Sequence, residues 1–131
     1  MTSAPFLRTP DTNFAELKGF DFQPRYLDIN DDDVAGLRMH YIDEGPADGP
    51  IVLMMHGMPT WSYLYRTIIK DLVAHGYRCI APDHIGFGRS DKVVDTSWYN
   101  IARHTKNMKQ FVERRDLRNV TIMVQDWGGP I

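Results

Sequence analysis

Asp126 is the residue of this chain whose type and position best fit a nucleophile. It follows a run rich in β-branched residues at 119–124 and precedes Trp127, Gly128 and Gly129. The β-branched run favours a strand, and the two glycines leave room for a tight turn and for a substrate to approach closely. A carboxylate at a sharp strand-to-helix turn is presented at the edge of a sheet, as a nucleophile must be.

A second loop with chemical potential lies at residues 56–59 (HGMP), directly after the apolar run at 51–55. Ligands of open α/β sheets bind at the carboxyl ends of strands, where this loop and the Asp126 turn both lie. Hydrolases with such a turn build an oxyanion hole from the N–H after the nucleophile and an N–H of a loop after an earlier strand. The backbone amides of Met58 and Trp127 are therefore the predicted oxyanion hole.

The elements that must position these loops alternate between strand and helix after Pro50, which predicts an α/β fold with a mostly parallel sheet and crossover helices. Thr60 is the predicted N-cap of the first helix and Gly76 its stop, and Thr96 or Ser97 is the predicted cap of the second. The apolar patterns place strands at residues 51–55, 78–81 and 119–124, a helix at 61–73 and a second helix from residue 98 to near Leu117.

The segment before this alternation predicts a β-hairpin. Residues 26–29 and 37–42 alternate apolar and polar side chains, and the run Asn-Asp-Asp-Asp at 30–33 is typical of a turn. The acidic run lacks the spaced ligands and the distal Glu of a calcium loop, which favours a solvated turn. Phe14 and Leu17 form a short apolar segment that is expected to pack on the body.

Charge and composition exclude several classes of partner. The formal net charge is -2 and Lys and Arg are scattered, so we expect neither nucleic acid nor an anionic membrane as a partner. Cys79, the single cysteine, lies in an apolar run, which predicts a buried thiol and a reducing compartment. The sequence shows no signal peptide and no apolar run of ~18 residues, so a cytoplasmic location is expected. No metal site and no cofactor are predicted.

Three blocks of the sequence together resemble one family. They are residues 56–66 (HGMPTWSYLYR), 81–92 (APDHIGFGRSDK) and 124–129 (VQDWGG). With the leader at residues 8–27, these blocks look like the N-terminal half of a haloalkane dehalogenase, an enzyme of the α/β-hydrolase superfamily. The resemblance implies an α/β-hydrolase-type sheet that is truncated after the strand leading to Asp126. It implies that residues 1–131 are the N-terminal part of the core domain, without the cap domain and the C-terminal part of the core.

The resemblance also implies hydrolytic cleavage of a carbon–halogen bond. Asp126 would attack the halogen-bearing carbon of a small halogenated aliphatic substrate and form an alkyl ester, while the indole N–H of Trp127 binds the departing halide ion. A water activated by a histidine would then hydrolyse the ester, and the Met58 and Trp127 amides would bind the developing negative charge. A partly desolvated carboxylate is a better nucleophile than one in bulk water, which makes the assignment coherent.

The sequence departs from this family in two respects. Some members carry Asn, a second halide donor, where this chain has Met58, so that donor must come from elsewhere. The family's catalytic histidine and its acid partner lie beyond Ile131, and none of the five histidines matches them. The chain by itself is therefore expected not to turn over haloalkanes. Its open sheet edge is expected to cause poor solubility or self-association.

Other polar residues are better explained by structural roles. His56 precedes the glycine of its loop and is interpreted as organising that loop. Asp83 precedes the turn at residues 86–88 and is interpreted as a structural hydrogen-bonding residue. The remaining histidines are expected to be solvated or locally bonded; they are His40, His75, His84 and His104.

Two other functions stay open. An epoxide hydrolase also uses an aspartate nucleophile and a similar loop. That family typically has His before the nucleophile, where this chain has Gln125, and lacks the block at residues 60–66. Halide release or diol formation separates the two reactions. A non-catalytic fragment or pseudoenzyme is the third hypothesis, and the missing base supports it.

Overall fold

Seven strands and two α-helices form within residues 4–131, the part of the chain that the computed structural model describes. Residues 1–3 lie outside this part. Neither helix is long and apolar enough to cross a membrane. The strands are β1 (Phe6–Leu7), β2 (Arg25–Ile29), β3 (Leu37–Glu44), β4 (Ile51–Met55), β5 (Arg78–Pro82), β6 (Lys92–Val93) and β7 (Thr121–Val124). The helices are α1 (Arg66–Ala74) and α2 (Ile101–Arg114).

The central sheet has five strands in the order β2-β3-β5-β4-β7. β4 pairs in parallel with β5 and with β7, whereas β3 pairs antiparallel with β2 and with β5. The predicted α/β sheet and the predicted hairpin are both confirmed, and the hairpin extends the same sheet. Met55 at the end of β4 pairs with Val124 at the end of β7. This register brings the loops that follow the two strands to the same edge of the sheet.

Apolar side chains cover both faces of the sheet. On one face, Leu53 and Phe111 belong to a buried cluster that includes the inner side of α2. On the other face, Met54 and Ile69 belong to a second buried cluster beneath α1. Successive residues of β4 thus alternate between two apolar layers, which explains why the run at 51–55 is apolar throughout.

Cys79 lies on β5 and is fully buried, as the sequence predicted. Burial raises the pKa of its thiol to about 11. The thiolate is the reactive form of cysteine, so this residue is inert at neutral pH.

The leader is tied to the body, as predicted. The rings of Phe14 and Trp61 meet with their centroids 5.6 Å apart, and Leu17 packs against the second cluster. Arg8 makes a bidentate ion pair with the buried Asp91, with N···O distances of 2.8 and 2.7 Å. Bidentate pairing gives both strength and a defined geometry, so it fixes the leader beside the loop that carries Asp91.

The N-cap predicted for the second helix is wrong. The carbonyl oxygen of the Asn100 side chain, not Thr96 or Ser97, accepts a hydrogen bond from the Arg103 amide at 2.8 Å. Trp98 is buried in a 3-10 turn ahead of the helix. Because the chain is still in this 3-10 turn at Trp98, α2 begins only after it, and Asn100 is its N-cap.

The N-cap predicted for the first helix is also wrong, whereas its stop is confirmed. The Thr60 hydroxyl donates to the Gly57 carbonyl at 3.0 Å, and the chain enters α1 through the 3-10 turn Ser62–Tyr65. Gly76 follows α1 with φ 89°, a left-handed conformation that ends helices and favours glycine.

The acidic hairpin turn is less solvated than predicted. Asp32 and Asp33 are exposed, but the Asp31 side chain is only 3% exposed. It accepts hydrogen bonds from the Trp98 indole at 3.1 Å and from the Arg103 guanidinium at 3.2 Å. A buried carboxylate requires such donors, and they come from residues far along the chain. The turn therefore attaches the hairpin to the start of α2.

We expect Asn100→Ala to lower the free energy of unfolding by about 1 kcal/mol, because the first turn of α2 loses its side-chain acceptor. Thr96→Ala is the matched control, and its effect is expected to stay within about 0.5 kcal/mol. Urea denaturation followed by circular dichroism measures both changes. Equal losses in the two variants would contradict the cap assignment.

Candidate active site

Asp126 occupies the sharp turn at the end of the central sheet. β7 ends at Val124, and a 3-10 turn, Asp126–Gly128, begins two residues later. The backbone of Asp126 is left-handed with φ 55°, a region that Asp enters more readily than most residues with a side chain. The side chain is exposed at this turn. The geometry is that of a strand-to-helix elbow presenting a carboxylate.

Two glycines allow the loops to touch at this elbow. A Cβ on Gly57 would lie 2.4 Å from the Asp126 Cβ and 2.7 Å from the Gln125 carbonyl oxygen. A Cβ on Gly128 would lie 2.3 Å from the Met55 carbonyl oxygen. Neither distance is possible for a real side chain, so both positions require glycine for this close approach.

The carboxylate of Asp126 is held at one oxygen. The Met58 amide donates a hydrogen bond to Oδ2 at 3.1 Å. Within residues 4–131 no hydrogen bond of normal geometry reaches Oδ1, so this oxygen is the less restrained of the two. The Met58 amide, followed by the Trp127 amide, lowers the pKa of Asp126, because both N–H dipoles favour the ionised form.

Trp127 stands beside this carboxylate and remains half exposed, with 48% of its surface accessible. The indole nitrogen has no acceptor among the described residues. An amphipathic ring with a free N–H donor therefore follows directly after the exposed carboxylate. This combination can bind an anion that forms near Asp126.

The described residues do not enclose Asp126 in a pocket. An apolar recess of about 410 Å³ lies on the Met58 side of the site, with Phe87, Ile101 and His104 among its walls. A second apolar groove of about 540 Å³ runs along β7. Asp126 lines neither of them. Residues 4–131 thus supply the carboxylate and its amide donor but no closed substrate cavity.

Three histidines that were expected to be solvated or locally bonded are in fact buried. His40, His84 and His104 are 1%, 1% and 2% exposed. Burial lowers the pKa of His84 to about 3 and lowers that of His104, so both rings are neutral at pH 7. His75 is exposed and its Nδ1 lies 2.8 Å from the Asp71 carbonyl, as expected for a locally bonded residue.

His56 is fully buried, and both of its ring nitrogens have partners. This arrangement fits the loop-organising interpretation. Among the residues that the structure describes, no histidine forms a hydrogen bond with Asp126. The candidate site therefore contains no visible general base.

Asp83 has the structural role that its position indicated. The side chain is fully buried and accepts hydrogen bonds from the Ser62 amide at 2.7 Å and the Arg89 amide at 3.0 Å. It also pairs with His40 Nδ1 at 2.8 Å. Burial alone would raise the pKa of Asp83, but these donors together lower it. The carboxylate thus remains ionised and ties together the loops after β4 and β5.

Comparison with protein families identifies the fold to which this elbow belongs. The alpha/beta hydrolase fold family matches residues 50–131, which include β4, β5, β7 and the elbow. The chain belongs to this family. The match covers more than half of the sequence, and it contains both loops of the candidate site.

Curated relatives of this α/β hydrolase include haloalkane dehalogenases. It is 53% identical over 125 residues to a haloalkane dehalogenase of Mycobacterium marinum and 50% identical over 125 residues to one of Psychrobacter cryohalolentis. Each alignment covers 95% of this chain but only 42% and 41% of the relative. The predicted resemblance is confirmed, and the chain spans less than half the length of these curated relatives.

Solved structures give the same result for this α/β hydrolase. The tetrameric haloalkane dehalogenase DpaA from Paraglaciecola agarilytica matches with a TM-score of 0.87 and 46% identity, over 95% of this chain and 42% of that one. An epoxide hydrolase from Vigna radiata matches with a TM-score of 0.71 and 29% identity, over 85% of this chain and 34% of that one.

Sequence reasoning missed the contact between His56 and His84. Their positions carried a usable signal, because His56 directly follows β4 and His84 lies two residues beyond β5. β4 and β5 are neighbouring parallel strands, so residues just past their carboxyl ends meet at one edge of the sheet.

We expect Gly57→Ala to lower the free energy of unfolding by about 1–3 kcal/mol, because the new methyl group would overlap Asp126 and force the loops apart. Gly129→Ala is the matched control. Its Cβ would meet no atom closer than the Asp126 carbonyl oxygen at 3.4 Å, and its backbone has φ -65°. Urea denaturation of both variants decides the matter. A Gly57→Ala chain as stable as Gly129→Ala would show that the loops do not touch.

Proposed function

We propose that Asp126 is the nucleophile of a haloalkane dehalogenase. The observation that carries the proposal is the exposed carboxylate at the elbow, held at Oδ2 by the Met58 amide and less restrained at Oδ1. Identity of 53% to a haloalkane dehalogenase supports the choice of reaction. In this reaction Oδ1 forms a bond to the halogen-bearing carbon, the carbon–halogen bond breaks, and its electron pair leaves with the halide.

The same amides serve the second half of the proposed reaction. When water attacks the alkyl ester at the Asp126 carboxyl carbon, negative charge develops on Oδ2, which already accepts the Met58 N–H. Preorganised donors of this kind stabilise a tetrahedral intermediate without reorganising. The Met58 and Trp127 amides are the proposed oxyanion hole. The base that activates the water takes one of its protons, the alcohol leaves with the other, and the carboxylate is restored.

Halide binding is assigned to the Trp127 indole N–H. Such a donor stabilises the departing halide without protonating the nucleophile. The thioether of Met58 cannot donate a hydrogen bond, so the second halide donor must come from another residue.

We propose that residues 1–131 form the N-terminal part of an α/β-hydrolase core domain, which works in the cytoplasm on small halogenated aliphatic compounds with water. The coverage of 42% of a curated relative supports this reading. Ile122 and Val124 on β7 are 57% and 47% exposed, which supports self-association of the chain. The related dehalogenase DpaA is described as a tetramer.

An epoxide hydrolase is the second candidate, because the Vigna radiata epoxide hydrolase shares this architecture at a TM-score of 0.71. It uses the same kind of nucleophile, so the elbow alone does not separate the two reactions. Identity favours the dehalogenase, at 46% for DpaA against 29% for the epoxide hydrolase.

We expect the chain to form a single alkyl adduct on Asp126 when it is incubated with a bromoalkane, and the ester to persist because no base within residues 4–131 contacts this residue. Intact-mass spectrometry with peptide mapping detects the adduct, and a halide assay counts turnovers. Asp126→Asn should abolish the adduct in freshly prepared protein. Asp116→Asn is the matched control, since Asp116 is also exposed and left-handed, with φ 52°.

An adduct that survives Asp126→Asn would contradict the nucleophile assignment. Sustained halide release by the wild-type chain would show that a base reaches the Asp126 ester. Incubation with a simple epoxide separates the candidates, because a hydroxyalkyl adduct without any bromoalkane adduct would favour the epoxide hydrolase.

We expect Trp127→Phe to weaken chloride binding roughly 10–150-fold, which corresponds to about 1.5–3 kcal/mol for one hydrogen bond to a charged partner. The substitution keeps the ring and the backbone amide and removes only the indole N–H. Trp61→Phe is the control, because Trp61 packs against Phe14, Phe20 and Tyr63. Chloride NMR line broadening reports binding. Equal affinity in wild type and Trp127→Phe would make Trp127 a packing residue.

A further inference from the structure

We infer that His56 is a positioning residue for the oxyanion hole: its Nδ1–H fixes the Gly57–Met58 peptide so that the Met58 N–H points at Asp126. The inference rests on the proposed function, in which that N–H serves as an oxyanion donor. His56 itself touches neither Asp126 nor the reacting atoms. It acts through the peptide that follows it.

The hydrogen bonds determine the tautomer of His56. The His84 amide lies 3.0 Å from His56 Nε2, and a backbone N–H can only donate, so Nε2 must carry a lone pair. In a neutral imidazole the proton then sits on Nδ1. Nδ1 lies 2.7 Å from the Gly57 carbonyl oxygen, which can only accept. Both contacts therefore require the same state, a neutral ring protonated at Nδ1.

His84 completes a reciprocal clamp. Its Nε2 lies 2.9 Å from the His56 carbonyl oxygen, so this nitrogen must carry a proton and donate. The two rings lie with their centroids 4.3 Å apart. Each histidine thus bonds the backbone of the other, and together they hold the loop after β4 against the loop after β5.

The planarity of the peptide transmits this restraint to the site. In a trans peptide the C=O and the N–H point in opposite directions, so fixing the Gly57 carbonyl also fixes the Met58 N–H. Two donors fix that carbonyl, His56 Nδ1 at 2.7 Å and the Thr60 hydroxyl at 3.0 Å. The Met58 N–H on the opposite edge reaches Asp126 Oδ2 at 3.1 Å.

Burial keeps the rings of His56 and His84 neutral, as their hydrogen bonds require. A charged imidazolium donates from both nitrogens and cannot accept the His84 N–H. Burial lowers the pKa of His56, against the opposing effect of the nearby Asp83 charge, and lowers the pKa of His84 to about 3 with added repulsion from His56 and His104. Both rings therefore stay neutral at pH 7, and the peptide keeps its orientation.

Nitrogen NMR of the imidazole rings in the full wild-type chain tests the tautomer directly. We expect His56 to be neutral and protonated at Nδ1, which is the less common tautomer, and His84 to be neutral and protonated at Nε2. A His56 ring protonated at Nε2, or charged at neutral pH, would overturn the inference.

Substitution of His56 tests its effect on the site. In the wild-type chain the Met58 amide resonance is expected to move with pH as Asp126 ionises. His56→Leu should remove most of this movement, whereas His56→Asn, whose side-chain amide can donate near the position of Nδ1, should retain much of it. His75→Leu is the control and should leave the movement unchanged, because His75 is exposed and lies between α1 and β5, before the strand and not after it.

Full movement of the Met58 resonance in a folded His56→Leu chain would overturn the inference. If His56→Leu does not fold, the wild-type ring spectrum and the His56→Asn titration decide. Either a wild-type His56 ring protonated at Nε2 or a folded His56→Asn chain without the movement would overturn the inference. No haloalkane enters these measurements. If His56→Leu loses the movement of the Met58 resonance but the wild-type chain forms no adduct on Asp126, the positioning role is upheld and the dehalogenase proposal is rejected.

Discussion

The close approach of two loop backbones, one after β4 and one after β7, is the constraint on which the candidate site depends. β4 and β7 are adjacent and parallel, and their last residues, Met55 and Val124, are paired. The chains that leave these strands must therefore pass each other within contact distance. Gly57 and Gly128 make this passage possible, since a side chain at either position would overlap the opposite backbone. The Met58–Asp126 hydrogen bond is a consequence of that approach.

Buried polar groups next to the site hold these loops in place. Asp83 accepts hydrogen bonds from a backbone amide after β4 and from another after β5. The side chains of His56 and His84 each bond the backbone of the other residue. Such groups are costly to bury unless they are paired, and once paired they define one arrangement of the loops. This edge of the sheet is thus held in one arrangement, while the Asp126 carboxylate remains exposed.

The sequence was sufficient to predict the parts of the fold that follow from local pattern. The run at 51–55 is apolar at every position because β4 is covered on both faces, and the Asp-Trp-Gly-Gly sequence marks the elbow because few residues suit so tight a turn. The hairpin and the end of α1 at Gly76 were also predicted from local pattern. These features depend on neighbours along the chain, which the sequence shows directly.

The parts that could not be predicted depend on distant contacts. Asn100 caps α2 because Trp98 is buried ahead of it, and Asp31 is buried because Trp98 and Arg103 supply its donors. His40 lies on β3, His84 on the loop after β5 and His104 on α2, so their burial depends on how separate elements pack together. A polar residue gives no local sign of being buried, since its partners lie on other elements.

The central claim is that the Met58 amide holds the ionised carboxylate of Asp126, and carbon NMR titration of that carboxyl group tests it most directly. The account predicts a titration midpoint for Asp126 that is lower in the folded chain than in the same chain unfolded by urea, because the amide bonds favour the charged form. A midpoint in the folded chain equal to or above that of the unfolded chain would contradict the account.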